Sequence, residues 1–361
     1  MSYSGHLSLE QADVITFGAF DYIKNHGKAL MRQNDDKRPL LDKVFKPIMT
    51  SKHTFIDGEI SVNTGRKSEA VAISPYGLDT LPYTEEHQGE RLTFTEGRMW
   101  MGLLVVEDEL RALGFRVKPL APGEQGIKMP KETRINIVKE LAEKLIAREE
   151  RYDELLDKAL HSDGTGTPDI TGIRGLFPVT NTTGTIGGLP RSIAAYRHQV
   201  VTGLTAGTWG TPGDFRTLLD PAVRQANRFA KRGSLRVGVA GSTAMDALKT
   251  FAENRVTFNA SASGGIKMDP SISDNAVGYS GCRIYYDPTL DNLSDEEGDA
   301  TLKKMIFMFN PAVMELAHEE HKETVTPPGE TTQMVRRNGL FGRYAILVDQ
   351  PNAAALVAQV D

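Results

Sequence analysis

One cysteine, Cys282, stands in 361 residues. A lone thiol cannot close an internal disulfide, so a disulfide-stapled secreted domain is excluded and a reducing compartment is the default expectation. Long hydrophobic runs are absent as well. The longest, Trp100 to Val106, has the length of a strand and falls far below the roughly 18 apolar residues of a membrane span. The opening Met1-Ser2-Tyr3-Ser4 has neither a charged region nor an apolar one behind it, so no secretory signal is expected and synthesis is expected in the cytoplasm. Charge of one sign is scarce too: a net −5 excludes uniform coating of nucleic acid, while a local basic face remains open. The sequence has no Walker loop, no G-x-S-x-G elbow and no cysteine pair. What it does have is an ordinary globular composition, 40% hydrophobic and 25% charged, which excludes disorder over the whole chain.

Three stretches come near a chemical motif and miss. His318-Glu319-Glu320-His321 places its histidines at i and i+3, where a zinc protease helix needs i and i+4 with Glu directly after the first; a solvated helix end is expected instead. Asp163 to Asp169 begins like a calcium loop, but the twelfth position is Arg174 where a bidentate Glu should stand. Gly184-Thr185-Ile186-Gly187-Gly188 lacks the G-x-G-x-x-G spacing of a dinucleotide fingerprint. No catalytic, cofactor-binding or metal-ligating residue is therefore expected, and an unrecognised hydrolase is the minor alternative.

The organising element is a helix predicted from Lys131 to the turn Asp163-Gly164-Thr165-Gly166-Thr167. Apolar residues at Ile135, Val138, Leu141, Ala142, Leu145, Ile146, Tyr152, Leu155, Leu156, Ala159 and Leu160 share one stripe, and the other face is charged. Pro130 precedes the first turn and glycines follow the last. About 30 residues at 1.5 Å rise give about 45 Å, which requires a long partner or a sheet to lie across. Heptads lapse at Arg148 and Glu149, against an isolated coiled coil. Leu145 and Leu155 are expected to be core residues.

Before this helix, residues 1–50 look like an arm. Ser8 and Gln11 form a capping box, and Ala12, Ile15, Ala19, Phe20 and Ile23 make one apolar face that must be buried on its own subunit or a neighbour. Alternation around Phe55 to Val62 and again at Arg91 to Thr95 predicts a long hairpin with a tip, Gly65 to Gly89, poor in apolar anchors. Val106 to Gly114 reads as a short helix. After the long helix come Gly- and Thr-rich loops over 164–215 with limited helix near Ser192 to His198, then a helix from Asp220-Pro221 to Gly233. A strand at Leu235 to Val239 leads to a helix from Ser242 to Asn254. Further strands are predicted at Val256 to Asn259, Cys282 to Tyr286, Met305 to Phe309, Thr332 to Asn338 and Arg343 to Val348, with an acidic loop from Asp291 to Asp299. Helices and strands mix without strict βαβ alternation, so the class is α+β.

The layout, together with Leu160-His161-Ser162-Asp163-Gly164-Thr165-Gly166, Ile170-Thr171-Gly172-Ile173 and Gly184-Thr185-Ile186-Gly187-Gly188-Leu189-Pro190-Arg191, resembles the major capsid protein of tailed bacteriophages, the Hong Kong ninety-seven-type fold. The element order matches over residues 40–361, and the specific words fall within 155–191. Ala195-Tyr196-Arg197-His198 departs from the aromatic Trp-Arg-Asn usual in the family. The resemblance implies an N-terminal arm at 1–48, an extended two-stranded loop at 49–100, a peripheral domain from 101–215 and 331–361 carrying the spine helix 131–161, and an axial domain at 216–330. It implies self-assembly as pentamers and hexamers into an icosahedral shell around packaged double-stranded DNA contacted non-specifically. Further implied partners are a separate scaffolding protein, a portal protein and a decoration or cement protein, with no membrane, no cofactor and no maturation cleavage. The location implied is the virion capsid, after synthesis in the bacterial host cytoplasm. An encapsulin-like compartment is the alternative use of the fold. Some members weld their shells by a lysine–asparagine bond; Lys67 and Asn338 are available here, but their polar surroundings favour a non-covalent shell.

Overall fold

The computed structural model describes residues 37–51, 55, 57–63, 91–106, 131–164, 170–205, 214–230, 233–259, 276–321 and 335–361. The predicted helix at Ser8 to Ile23, the helix predicted from Val106 to Gly114 beyond Val106 itself, which is in a strand, and the hairpin tip with Lys67 lie outside them. The chain divides into two compact units, one from residues 1–36, 99–156 and 321–342, the other from 37–98, 157–320 and 343–361.

In the first unit the described residues are mainly those of the long helix. Helix α1 runs Lys131–Leu160, the span that its apolar spacing requires. The stripe is rotated from expectation at its end: Leu156, Ala159 and Leu160 are buried, whereas Leu155 is 37% exposed. Positions 156, 159 and 160 share one face at i, i+3 and i+4, and Leu155 falls about 100° away from Leu156. The side chain of Leu145 lies outside the described residues.

The second unit is built on a six-stranded sheet. Strands β7 (Gln199–Leu204), β8 (Val237–Ala240), β9 (Ala276–Tyr279), β10 (Cys282–Tyr286), β11 (Met305–Phe309) and β14 (Ala355–Val360) are ordered β7-β14-β11-β8-β10-β9. The pairs β10 with β8 and β14 with β7 are parallel; the others are antiparallel. All five residues of β11 are buried, because it is central and covered on both faces. Ile306 and Met308 join the core under helices α2 (Phe215–Phe229) and α3 (Ser242–Asn259), with Leu219, Val223, Ala244 and Leu248. Phe307 and Phe309 alternate to the opposite face, where Phe309 meets Phe177 at 6.2 Å between ring centroids. Leu40, Leu41, Val44 and Phe45, in the π-helical turn Leu40–Phe45, are fully buried, which anchors this end of the N-terminal segment in its own subunit.

A four-stranded sheet has the order β1-β12-β13-β4, from β1 (Met49–Thr50), β4 (Gly97–Val106), β12 (Met314–His321) and β13 (Val335–Val348). The expected extended hairpin is present at its root as β2 (Glu59–Asn63) antiparallel to β3 (Arg91–Thr95), with Ile60 opposite Phe94 and Val62 opposite Leu92. A second hairpin pairs β5 (Thr185–Ile186) with β6 (Leu189–Pro190). Its turn residues Gly187 and Gly188 have φ of +54° and +84°, the double left-handed turn that matches strand twist.

Several local expectations are corrected. Val256 to Asn259 is the last turn of α3 and not a strand, since no stop signal separates it from the helix capped near Ser242. The acidic stretch Asp291 to Asp299 belongs to helix α4 (Pro288–Glu297), whose Asp287 cap accepts from the Thr289 N–H and whose stop is Gly298 at φ +71°. Helix α2 begins at Phe215, with Pro221 inside it: the buried stripe Phe215, Leu219, Val223 and Ala226 passes through, and Pro221 faces outward. His318 to His321 lie in β12 and not at a helix end. Strand β13 runs unbroken through Asn338, where two strands with a turn between them were expected.

Candidate functional site

Helix α1 ends in the second unit on a buried knot of charge. His161 Nε2 lies 3.0 Å from Asp287 Oδ2, and Nδ1 lies 2.8 Å from the backbone oxygen of Asp157, one turn earlier. A carbonyl oxygen only accepts, so Nδ1 carries a proton; Nε2 faces a carboxylate and carries the other. His161 is thus an imidazolium. Burial pushes its pKa down, but the Asp287 and Asp157 carboxylates outweigh burial and raise it to about 9. Asp157 accepts from the Leu41 N–H at 3.1 Å and from the Thr289 hydroxyl at 2.6 Å. Burial raises its own carboxyl above the usual range, against the pull of His161. Leu41, Asp157, His161, Asp287 and Thr289 therefore tie the N-terminal turn, the end of α1 and the start of α4 to the sheet, where the Asp287 N–H donates to the Ala240 oxygen at 2.9 Å.

Asp157, His161 and Asp287 bring three metal-ligating side chains together, their ligand atoms within 4.8 Å of one another. The two carboxylates approach opposite ring nitrogens, Asp287 at Nε2 and Asp157 Oδ2 3.7 Å from Nδ1. Both ring nitrogens are already taken up in hydrogen bonds, Nε2 with Asp287 and Nδ1 with the Asp157 backbone oxygen, so neither presents a lone pair to an ion. The knot is a structural lock.

A second buried histidine has the opposite charge state. His198 Nε2 donates to the Pro178 oxygen at 2.8 Å, and its Nδ1 faces Arg191 Nη1 at 3.4 Å. A guanidinium only donates, so Nδ1 is bare and the ring is neutral. Burial and the Arg191 charge lower its pKa to about 3. Arg191 also donates from Nε to the Thr185 oxygen at 3.1 Å and from Nη2 to the Gly175 oxygen at 3.1 Å. Beside it lies a polar cavity of about 220 Å³ walled by the roots of both hairpins and by Ala345 and Ile346 of β13.

The near-miss motifs resolve structurally. Gly164 takes φ +87° with its N–H on the Ser162 hydroxyl, which terminates α1. Glu319 pairs with Arg343 at 3.2 Å, and the His318 ring stacks on Tyr344 with centroids 6.5 Å apart. Neither is placed as a metal ligand. The Gly184 to Gly188 run is the β5–β6 hairpin, and Gly187 is pressed so close to Leu92 that an added Cβ would lie 2.9 Å from the Leu92 Cβ. The sequence carried a local sign of one half of the knot, Asp157 and His161 at i and i+4, and none of Asp287, 126 residues away.

No protein-family model matches the sequence, and no curated protein matches it either. Solved structures do. A chain of the cyanophage A-1(L) capsid asymmetric unit aligns over 91% of this chain and 94% of its own length, with 12% identity and a TM-score of 0.56. This chain has that capsid chain's fold. The α+β class of phage capsid type, expected from the sequence, is thereby met at the level of the fold. A chain of Mycobacterium phage Bobi aligns over 94% and 98% at 10% identity with a TM-score of 0.48, and adds nothing to that conclusion.

Proposed function

We propose that the chain is the structural major capsid protein of a tailed bacteriophage. Copies of it, as pentamers and hexamers, close an icosahedral shell around double-stranded DNA, which they contact without reading sequence. The observation that carries this reading is the likeness in fold to the cyanophage capsid chain over nearly the whole of both chains.

Two features of the subunit support it. Strand β4 ends the order of the four-stranded sheet and exposes 59% of Trp100, an indole that a neighbouring copy would cover. The sequence between the two paired strands of the hairpin root, 64–90, is poor in apolar residues, as expected of a segment that a neighbouring copy orders. In this reading the arm is 1–48, the extended loop 49–100, the peripheral domain 101–215 with 331–361, and the axial domain 216–330. The axial domain would borrow β7 and β14 for its sheet. A separate scaffolding protein, a portal and a decoration protein complete the particle, and synthesis takes place in the host cytoplasm.

Electron microscopy of the purified full-length protein tests the reading. Closed polyhedral particles are expected, with double-stranded DNA inside those taken from infected cells. A protein that stays monomeric under all assembly conditions would overturn it, and shells holding enzymes in place of DNA would move it to the compartment alternative.

A further inference from the structure

Arg191 is 2% exposed, and all three of its guanidinium nitrogens bond to uncharged acceptors: the Thr185 and Gly175 oxygens and the bare nitrogen of neutral His198. Among the described residues no carboxylate touches it. Arginine is rarely buried without an anionic partner, because removing its charge from water is costly unless another charge compensates. Five N–H groups in a fixed fork serve three acceptors, which leaves two donors.

Arg191 itself lines the cavity, together with Thr185 and Gly175, whose oxygens hold Nε and Nη2; the two N–H groups left over are one on Nη1 and one on Nη2. Thr93, Thr95 and Thr171 line it as well, and no acidic residue among the described residues does. Its 220 Å³ is several times the roughly 30 Å³ share of one water molecule, enough for an oxyanion with its remaining hydration. The glycine turn Gly187-Gly188 forms part of the wall, with no side chain to fill the space.

We propose that the cavity between the two hairpin roots is a binding site for an oxyanion, a carboxylate or a phosphate, held by the Arg191 guanidinium and the surrounding threonines. The carbonyls of Thr185 and Gly175 fix the plane of the fork, so the two remaining N–H groups are presented in a set direction, as bidentate anion recognition requires. The site does not depend on the shell reading. It needs only the second unit to fold.

Inorganic phosphate and, separately, acetate are titrated into the full-length subunit by calorimetry, with chloride maintaining constant ionic strength. Saturable binding of one anion per chain is expected. Arg191→Lys, which keeps the charge and loses the fork, should weaken it at least tenfold, with circular dichroism checking the fold. Thr95→Glu leaves every Arg191 bond in place and tethers a carboxylate at the cavity wall; it should also weaken binding at least tenfold. Phosphate binding at least tenfold tighter than acetate identifies a phosphate ligand, acetate binding at least tenfold tighter identifies a carboxylate, and equal binding shows a site for either oxyanion. Non-saturating heats with both anions, or unchanged binding in Thr95→Glu, would overturn the proposal.

Discussion

His161 and Asp287 meet 3.0 Å apart, both with fully buried side chains, and that contact keeps His161 charged. His198, equally buried, is neutral because its neighbour is a guanidinium. Two histidines with the same ordinary pKa are thus driven to about 9 and about 3 by the sign of the group beside them.

These shifts predict a stability maximum near the unfolded histidine value, about 6.5. Between pH 6.5 and 9 the folded chain holds the extra proton on His161, so stability falls as pH rises, by up to about 1.4 kcal/mol per pH unit. Between pH 6.5 and 3 the unfolded chain holds the extra proton at His198, so stability falls as pH drops. Asp157, raised by burial, opposes the acid limb near its own titration. Urea unfolding of the free subunit from pH 4 to 9 checks this. His161→Gln should remove the alkaline slope while costing about 3–5 kcal/mol at neutral pH, and His198→Gln should flatten the acid limb. A wild-type alkaline slope that persists in His161→Gln would place the titration elsewhere.

How much of this was legible beforehand follows the range of the interactions. The spine helix, the hairpin root and strands β10 and β11 were readable because periodicity and stop residues are local. Helix α4 was missed even though Asp287, Pro288 and Gly298 are strong caps, because its acidic run reads as loop when charge is weighed above capping. Val256 to Asn259 failed the other way: a short β-branched stretch looked like a strand while the preceding helix carried it along. The knot pairs residues 126 apart, and the Arg191 cavity, although the acceptors of its guanidinium are near in sequence, is walled by Thr93 and Ala345 from distant strands, for which a single chain offers no signal.

The rotation of the stripe at the end of α1 gives a paired test. Leu156 is 3% exposed and Leu155 is 37% exposed. Leu156→Ala should cost about 2–5 kcal/mol, and Leu155→Ala at most about 1 kcal/mol. Thermal denaturation of the two variants beside the parent decides it. Equal losses would mean that the helix is rotated from the orientation described.

Gly187 closes the β5–β6 turn against Leu92, and the Thr93 N–H donates to its oxygen at 3.0 Å. Gly187→Ala places a side chain at φ +54°, which costs about 1–2 kcal/mol before any crowding. The crowding falls on the Cβ of Leu92, part of the hairpin root, which cannot swing aside as a long side chain would. Denaturant midpoints should therefore drop further for Gly187→Ala than for Gly188→Ala, where an added Cβ meets nothing within 4 Å. The reverse order would show that the turn, and not the packing, dominates.

In the proposed shell, a covalent bond between subunits would need one lysine and one asparagine. A lysine–asparagine bond needs the amine neutral near pH 7, a shift of about 3 units from its usual 10.4, which an apolar pocket and a carboxylate base must supply. Lys67 sits in Asn63-Thr64-Gly65-Arg66-Lys67-Ser68-Glu69, a polar segment of which residues 64–69 lie outside the described residues. The backbone of Asn338 runs inside β13 and not in the turn that was expected there, so its neighbours are set by strand pairing in the four-stranded sheet. A solvated lysine stays charged, and a charged amine is no nucleophile. Particles boiled in detergent should therefore release a single band at the chain's own mass, 39.6 kDa. A ladder of multimers that disappears in Lys67→Arg would show that a neighbouring subunit provides the pocket that this segment lacks.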